Sequence, residues 1–262
     1  MVELRQMTQK HFMTKSGIGG VDFAANPYVG CSHGCLYCYA KTMDRRMDES
    51  LWGSVVYVKD IESYVIPKNT GEKHLMLSSI TDPYQGIEAT EKKTRRILEE
   101  IVESNLHVSI LTKSPLVLRD LDLFRQMKHL EIGFSLSMSD KDAIIFEPGA
   151  PTVSSRIEAL HKLHAEQIRT HVFFAPIIPY YENVIKLLEQ IKDDVDYVMF
   201  DRLNIKSTSQ QQLLMETIRH IHPELLDQFY LAIQPKSHYF QELKRNIIAY
   251  CEQHHIHIQS IF

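Results

Sequence analysis

Short, mainly apolar runs alternate with longer amphipathic stretches along most of this chain. His74–Ser78 (HLMLS), Val108–Leu111 (VSIL), Ile132–Leu136 (IGFSL), His171–Pro176 (HVFFAP) and Asp196–Phe200 (DYVMF) have the length and residue types of buried strands. Between them, 88–104 places Ile97, Leu98 and Ile101 on one helical face and leaves Lys92, Lys93, Arg95 and Arg96 outside. The stretch 154–166 repeats the pattern with Ile157, Leu160 and Leu163, and 184–192, 210–222 and 240–253 continue it. Strand alternating with helix predicts a parallel sheet covered by helices. With one more strand just before the cysteines, the count is about six units, short of the eight of a closed barrel. The fold expected is α/β, a partial (β/α)6 TIM-like barrel with a short C-terminal helix/strand extension. The matching division is a lead-in segment at 1–25, a core at 26–222 and an extension packed on the barrel at 223–262.

Composition changes this picture little. With 44% hydrophobic and 24% charged residues in 262, the chain can bury a substantial core as one large domain or one with an appendage. A formal charge of −4 argues against a generally cationic, nucleic-acid-coating surface and leaves room for a local basic patch. No run approaches the ~20 apolar residues of a membrane span, and the polar N-terminus lacks the apolar middle of a signal peptide. The expected location is therefore cytoplasmic, with no membrane association. Four cysteines in such a chain suit metal or redox chemistry better than a disulfide scaffold.

The cysteines carry the candidate chemistry. Asn26–Ala40 reads NPYVGCSHGCLYCYA, which sets Cys31, Cys35 and Cys38 in a C-x3-C-x2-C arrangement. Three thiolates on a short loop can hold three irons of a cubane whose usual complement is four, leaving one iron open to a further ligand. Gly30 and Gly34 suit a loop wrapped tightly around a cluster. The competing readings are a zinc site with His33 as fourth ligand, whose spacing matches no standard finger, and a disulfide, which leaves one thiol over. Cys251, alone in an amphipathic stretch, reads as a small core residue. The run HHIHI, with His254, His255 and His257, reads as a terminal strand carrying histidines on one face, not as a second metal site.

The cysteine segment and five others resemble the spore photoproduct lyase-like branch of the radical S-adenosylmethionine (SAM) superfamily. The others are WGSVVYVK (52–59), SSITDPYQGIE (78–88), LTKSPLVLRD (111–120), FEPGAPTVSSRIEAL (146–160) and FFAPIIP (173–179), in the family's order. The resemblance implies a 4Fe–4S cluster on Cys31, Cys35 and Cys38, and SAM as second cofactor. It implies that Tyr37 and Tyr39 pack against the adenosyl moiety and that Thr81 and Asp82 contact polar parts of SAM. Lys113 would pair with the SAM carboxylate, Ser135 would hydrogen-bond the same ligand, and the backbone near Ala175 would meet the adenine. The implied activity is reductive cleavage of SAM to a 5′-deoxyadenosyl radical, fed by a reductant such as flavodoxin or ferredoxin, for hydrogen abstraction from a substrate. By analogy that substrate is a nucleic acid or nucleotide, with Lys92, Lys93, Arg95, Arg96 and Arg119 as a basic rim. A peptide or small metabolite, with a partner protein, is the alternative; an iron–sulfur redox protein without SAM chemistry is a third reading. One departure matters. Where the lyase carries its hydrogen-donating cysteine, this chain has Ser79, and a hydroxyl is a poor hydrogen-atom donor. Glu147 and Arg156 either bind the SAM ribose or a substrate anion, or pair with each other. Asp201, Arg202 and Asn204 are expected on the barrel rim, as substrate contacts.

Overall fold

The computed structural model describes residues 2–43, 46–68, 70–234 and 237–262. Among the described residues the strands are β1 (Glu3–His11), β2 (Thr14–Lys15), β3 (Phe23–Ala25), β4 (Tyr28–Val29), β5 (Val55–Ser63), β6 (His74–Leu77), β7 (His107–Thr112), β8 (Leu130–Ser135), β9 (Arg169–Ile177), β10 (Tyr197–Arg202) and β11 (Ile258–Ile261). The α-helices among them are α1 (Glu88–Glu91), α2 (Lys93–Ile101), α3 (Leu121–Phe124), α4 (Asp140–Phe146), α5 (Val153–Ala165), α6 (Val184–Ile191), α7 (Thr208–Ile221), α8 (Leu226–Ala232) and α9 (Tyr239–Gln253). The large sheet runs β11-β10-β9-β8-β7-β6-β3-β2, parallel throughout except for β2 at its edge. This is the α/β architecture expected, an open and mostly parallel sheet with helices between its strands. The first long-sheet strand to run parallel, β3, lies ahead of residue 26.

Strand alternation sorts the two faces. Leu75, Leu77, Val108, Ile110, Ile132, Phe134, Val172, Phe174, Val198 and Phe200 are each at most 2% exposed. They share one core with Ile97, Leu98 and Ile101 of α2, Ile157, Leu160 and Leu163 of α5, and Leu187, Leu188 and Ile191 of α6. Burying such side chains stabilises the fold by roughly 1.5–3 kcal/mol each. The register puts Met76, Leu111, Phe173 and Met199 on the opposite face, where they stay half-buried. On that face the imidazole of His171 lies against Gly133, its neighbour across β8 and β9, and stacks on Tyr197 at 4.8 Å. A Cβ at Gly133 would overlap the ring. Burial holds His171 neutral, with its pKa lowered to about 3.

Three expectations need correction. The single helix over 88–104 is two helices, because Lys92 adopts a left-handed conformation (φ 51°). The kink swings the buried Glu88 carboxylate over the start of α2, where it accepts from the amides of Thr94 (2.9 Å) and Arg95 (3.2 Å). Such a cap satisfies amide groups that a helix start leaves open. Three of the five cations of the expected basic rim are neutralised: Arg95 pairs with Asp120 and Asp122, Arg96 with Glu99 and Glu100, and Arg119 with Glu88 and Asp120. Finally, HHIHI is not a strand. His254 closes α9, His255 is left-handed (φ 56°), and β11 begins only at Ile258.

The lead-in segment holds an element that the apolar pattern did not announce. β1 pairs in parallel with β5 over its whole length, and β4 pairs antiparallel with β5 from the other side. This small sheet ends beside the cysteines, since β4 stops at Val29. Cys251 is 1% exposed in the core, as read. No helix among the described residues is long and apolar enough to cross a membrane.

Candidate active site

The chain leaves β4 through Gly30 (φ 86°), where a side chain would strike Met47 and the Val55 carbonyl, so only glycine passes beneath β5. The loop that follows carries Cys31, Cys35 and Cys38; the first two are buried and the third is half-buried. Backbone bonds fold it on itself, from Gly34 N to Cys31 O (3.2 Å) and from Cys38 N to Cys35 O (3.3 Å). Three other loops close on it. Gly53 lies so near Gly34 that a Cβ there would come 2.9 Å from the Gly34 Cα. Gly149 N donates to His33 O at 2.9 Å, and a Cβ on Gly149 would overlap the Ser32 carbonyl. From the loop after β6, Gln85 accepts from Ser32 N (2.7 Å) and donates to Gly30 O (3.3 Å). WGSVVYVK, FEPGAP and SSITDPYQGIE, distant in sequence, thus meet on one loop.

The thiols sense one another. Burial raises the pKa of Cys31 most, followed by the charges of Asp82, Cys35 and Cys38. The Cys35 thiol is pushed up to about 12, chiefly by burial and then by Glu147, against the opposing pull of Lys113. Cys38 is raised by burial, with Lys113 and Lys41 opposing. Among the described residues no group of three or more His, Cys, Asp and Glu side chains is arranged to hold a metal ion. The thiolates of a cubane each bind a different iron, so they do not meet at one point.

Beside the loop, a polar network is built from residues at the ends of the strands. Lys113 Nζ donates to Ser135 Oγ (2.6 Å), whose hydroxyl donates on to Ala175 O (2.9 Å). The ammonium stands 3.7 Å from Glu147 and 5.8 Å from the centre of the Tyr37 ring. The Tyr37 hydroxyl donates to Glu147, and the fully buried Arg156 pairs with the same carboxylate while donating to Ser135 O at 3.1 Å. Of the two readings for Glu147 and Arg156, mutual pairing is therefore the one observed. Burial pushes the Glu147 carboxyl up, but Lys113 and Arg156 outweigh it and hold the group below its ordinary range.

The remaining predicted residues divide. The Asp82 carboxylate is taken up by protein groups: it accepts from Thr112 Oγ1 (2.6 Å), Tyr84 N (2.8 Å) and Lys113 N (2.8 Å), with His33 Nδ1 at 3.4 Å. Thr81 Oγ1 donates to Gly30 O at 2.5 Å and receives Gln85 Nε2 at 2.9 Å. Tyr39 is 45% exposed, and its hydroxyl donates to Ser79 O at 2.7 Å. Asp201, Arg202 and Asn204 are exposed at the end of β10 and line a cleft of about 760 Å³ that α9 closes from the other side. Cys251 sits within α9, whose main contacts are α6 and β11. Gln85, Gly53 and Gly149 were not singled out from sequence; the glycines of WGS and EPGA were the available signal.

The sequence pattern of the radical SAM superfamily matches residues 25–193 of this chain. The chain belongs to the radical SAM superfamily. An uncharacterised protein of Methanocaldococcus jannaschii is 33% identical over 219 residues, 82% of this chain and 83% of that one. The radical SAM Nα-GlyT isomerase of Pseudomonas phage M6 is 26% identical over 157 residues, covering 58% of this chain and 32% of the isomerase. In fold, this radical SAM protein is similar to spore photoproduct lyase solved with bound SAM and dinucleoside spore photoproduct. The TM-score is 0.69 at 15% identity, over 95% of this chain and 79% of the lyase. It is also similar to SuiB of Streptococcus suis bound to SAM, with TM-score 0.58 at 11% identity, over 91% of this chain and 50% of SuiB.

Proposed function

We propose that this radical SAM protein is an enzyme that cleaves SAM reductively and uses the 5′-deoxyadenosyl radical to take a hydrogen atom from a nucleobase or nucleotide. The observation that carries the proposal is the network reaching from buried Glu147 and Arg156 through Lys113 and Ser135 to Ala175, alongside the three-cysteine loop. The donor set fits a 4Fe–4S cluster on Cys31, Cys35 and Cys38. Their thiols are costly to ionise in this buried setting, and binding cationic iron removes that cost. Held by those three thiolates, the cluster would supply one electron, drawn from a reductant such as flavodoxin or ferredoxin, for reductive cleavage of SAM to methionine and the 5′-deoxyadenosyl radical.

The chain's own residues bind, orient and shield. Lys113 presents a cation to the SAM carboxylate, held in place by Ser135 and by its backbone bond to Asp82. Tyr37 and Tyr39 flank the last cysteine and offer rings to the adenosyl group, with Thr81, Ser135 and the Ala175 backbone at its polar edges. Asp82 acts through Lys113 and His33. Half-buried Met76, Leu111, Phe173 and Met199 give the same face an uncharged floor that keeps water from the radical. Ser79 supplies no thiol, so the proposal does not extend to thymine-dimer repair by thiol donation. A cytoplasmic location, where reductants are at hand, belongs to the same proposal.

A peptide or small-metabolite substrate is the second reading. The ion-paired Arg95, Arg96 and Arg119 favour it, since they withdraw three of the five expected rim cations from a phosphate backbone. An iron–sulfur redox protein without SAM chemistry is the third. The deciding experiment is anaerobic reconstitution with iron and sulfide, addition of dithionite and SAM, and chromatography for 5′-deoxyadenosine. Formation by the native protein and its loss in Cys35→Ala is the expected outcome. A loaded native protein whose reduced cluster spectrum does not change on adding SAM sinks the proposal in favour of the redox protein.

A further inference from the structure

Gln85 belongs to none of the readings above. Its side chain is fully buried, and each of its polar atoms has a partner at the site. Oε1 accepts from Ser32 N at 2.7 Å; Nε2 donates to Thr81 Oγ1 at 2.9 Å and to Gly30 O at 3.3 Å. Ser32 and Gly30 flank Cys31 on either side. Thr81 donates to the same Gly30 carbonyl at 2.5 Å, which closes a ring of bonds around the first cysteine. The segment that carries Gln85 also carries Asp82, whose carboxylate accepts from Lys113 N at 2.8 Å. One short loop after β6 therefore holds the cysteine loop by one side chain and the Lys113 backbone by another.

We propose that Gln85 is a positioning residue: it clamps the backbone on both sides of Cys31 and fixes the cysteine loop relative to Lys113. The clamp rests on the bonds to Gly30 and Ser32; its consequence for catalysis rests on the cluster and SAM reading above. An amide suits the task because the position must accept from one backbone group and donate to another. Aspartate and glutamate only accept when ionised, and lysine only donates. Thr81 works with it, bracing Gly30 from the same loop.

The test reads the loop directly, in the full-length, metal-free protein. Alkylation of each cysteine by iodoacetamide is followed by mass spectrometry, with Cys251 as internal control, since it is buried far from the clamp. Losing bonds to two buried backbone groups weakens the closed loop enough for about a tenfold change in its opening. Gln85→Ala is expected to speed alkylation of Cys31 and Cys35 about tenfold while Cys251 stays protected. Gln85→Glu, which keeps the acceptor for Ser32, falls between native and Gln85→Ala. Faster reaction of all buried cysteines together marks general loosening and overturns the clamp, as does a folded Gln85→Ala with native rates at Cys31 and Cys35. If Gln85→Ala does not fold, Gln85→Glu decides by the same criteria. A parallel arm measures iron release from the reconstituted protein to a chelator, expected about tenfold faster in Gln85→Ala. Native protein that takes up no iron and sulfide sinks the cluster reading, and the alkylation arm still decides on Gln85.

Discussion

Arg156 and Glu147 are both out of contact with water, so neither charge is tolerated without the other. The guanidinium spends its other donors on the carbonyls of Pro151 and Ser135, and the carboxylate also receives Tyr37. Removing Arg156 leaves the buried carboxylate with only Lys113, 3.7 Å away, to oppose its charge, and breaking such a buried pair costs up to about 3–5 kcal/mol. Arg156→Leu is expected to lose that much in chemical denaturation of the metal-free protein, and Arg156→Leu/Glu147→Gln to recover part of it. A double variant no more stable than the single one would show that the pair is not what the arginine serves. This pair was visible in sequence only as two alternatives, because nothing in residue order says whether two opposite charges near one loop face each other or a ligand. That Lys113 and Ser135 lie at strand ends was legible because the apolar runs they close are short and well bounded. Gln85 was not, since a side chain that bonds to the backbone of a distant loop and to Thr81 leaves no periodic trace.

At the scale of elements, β6 to β10 were readable because most of their helix-facing residues are apolar. Their bounds shifted by a residue or two where polar ends continued the ladder, as at Asp201 and Arg202 of β10. β1 escaped because its sequence ELRQMTQKH is polar on both faces and pairs along one edge only. The helix break at Lys92 escaped because the apolar spacing runs straight through it; what bends the chain is the Glu88 carboxylate capping the next helix. A non-glycine residue held left-handed costs about 1–2 kcal/mol, against about 0.5–1 kcal/mol for the extra freedom of glycine in the unfolded chain. Lys92→Gly should therefore raise stability modestly, by up to about 1 kcal/mol, in thermal or urea unfolding. A clear loss would mean that the lysine side chain itself supports the kink.

For the molecule as a whole, the electrostatics bear on the substrate. Net charge is −4, and three cations of the expected rim, Arg95, Arg96 and Arg119, are tied to carboxylates. Binding of a long nucleic acid through its backbone releases counterions and weakens steeply with salt. Here a single-stranded oligodeoxynucleotide followed by fluorescence anisotropy should bind with a shallow dependence, with a log–log slope shallower than about −2, for one or two phosphates at most. A steeper slope would place a basic track elsewhere on the surface and favour a polymer substrate over a nucleotide.

The imidazole of His171 resting on the bare backbone of Gly133 carries a lesson about descent. Two positions 38 residues apart share one volume, and neither can change size without the other. A lineage that gained a side chain at 133 would first have to shrink 171. Because the ring is also stacked on Tyr197, position 197 would then face a hollow. Homologous chains should thus show these three sites drifting together, a written record of the contact that can be read without any structure at all.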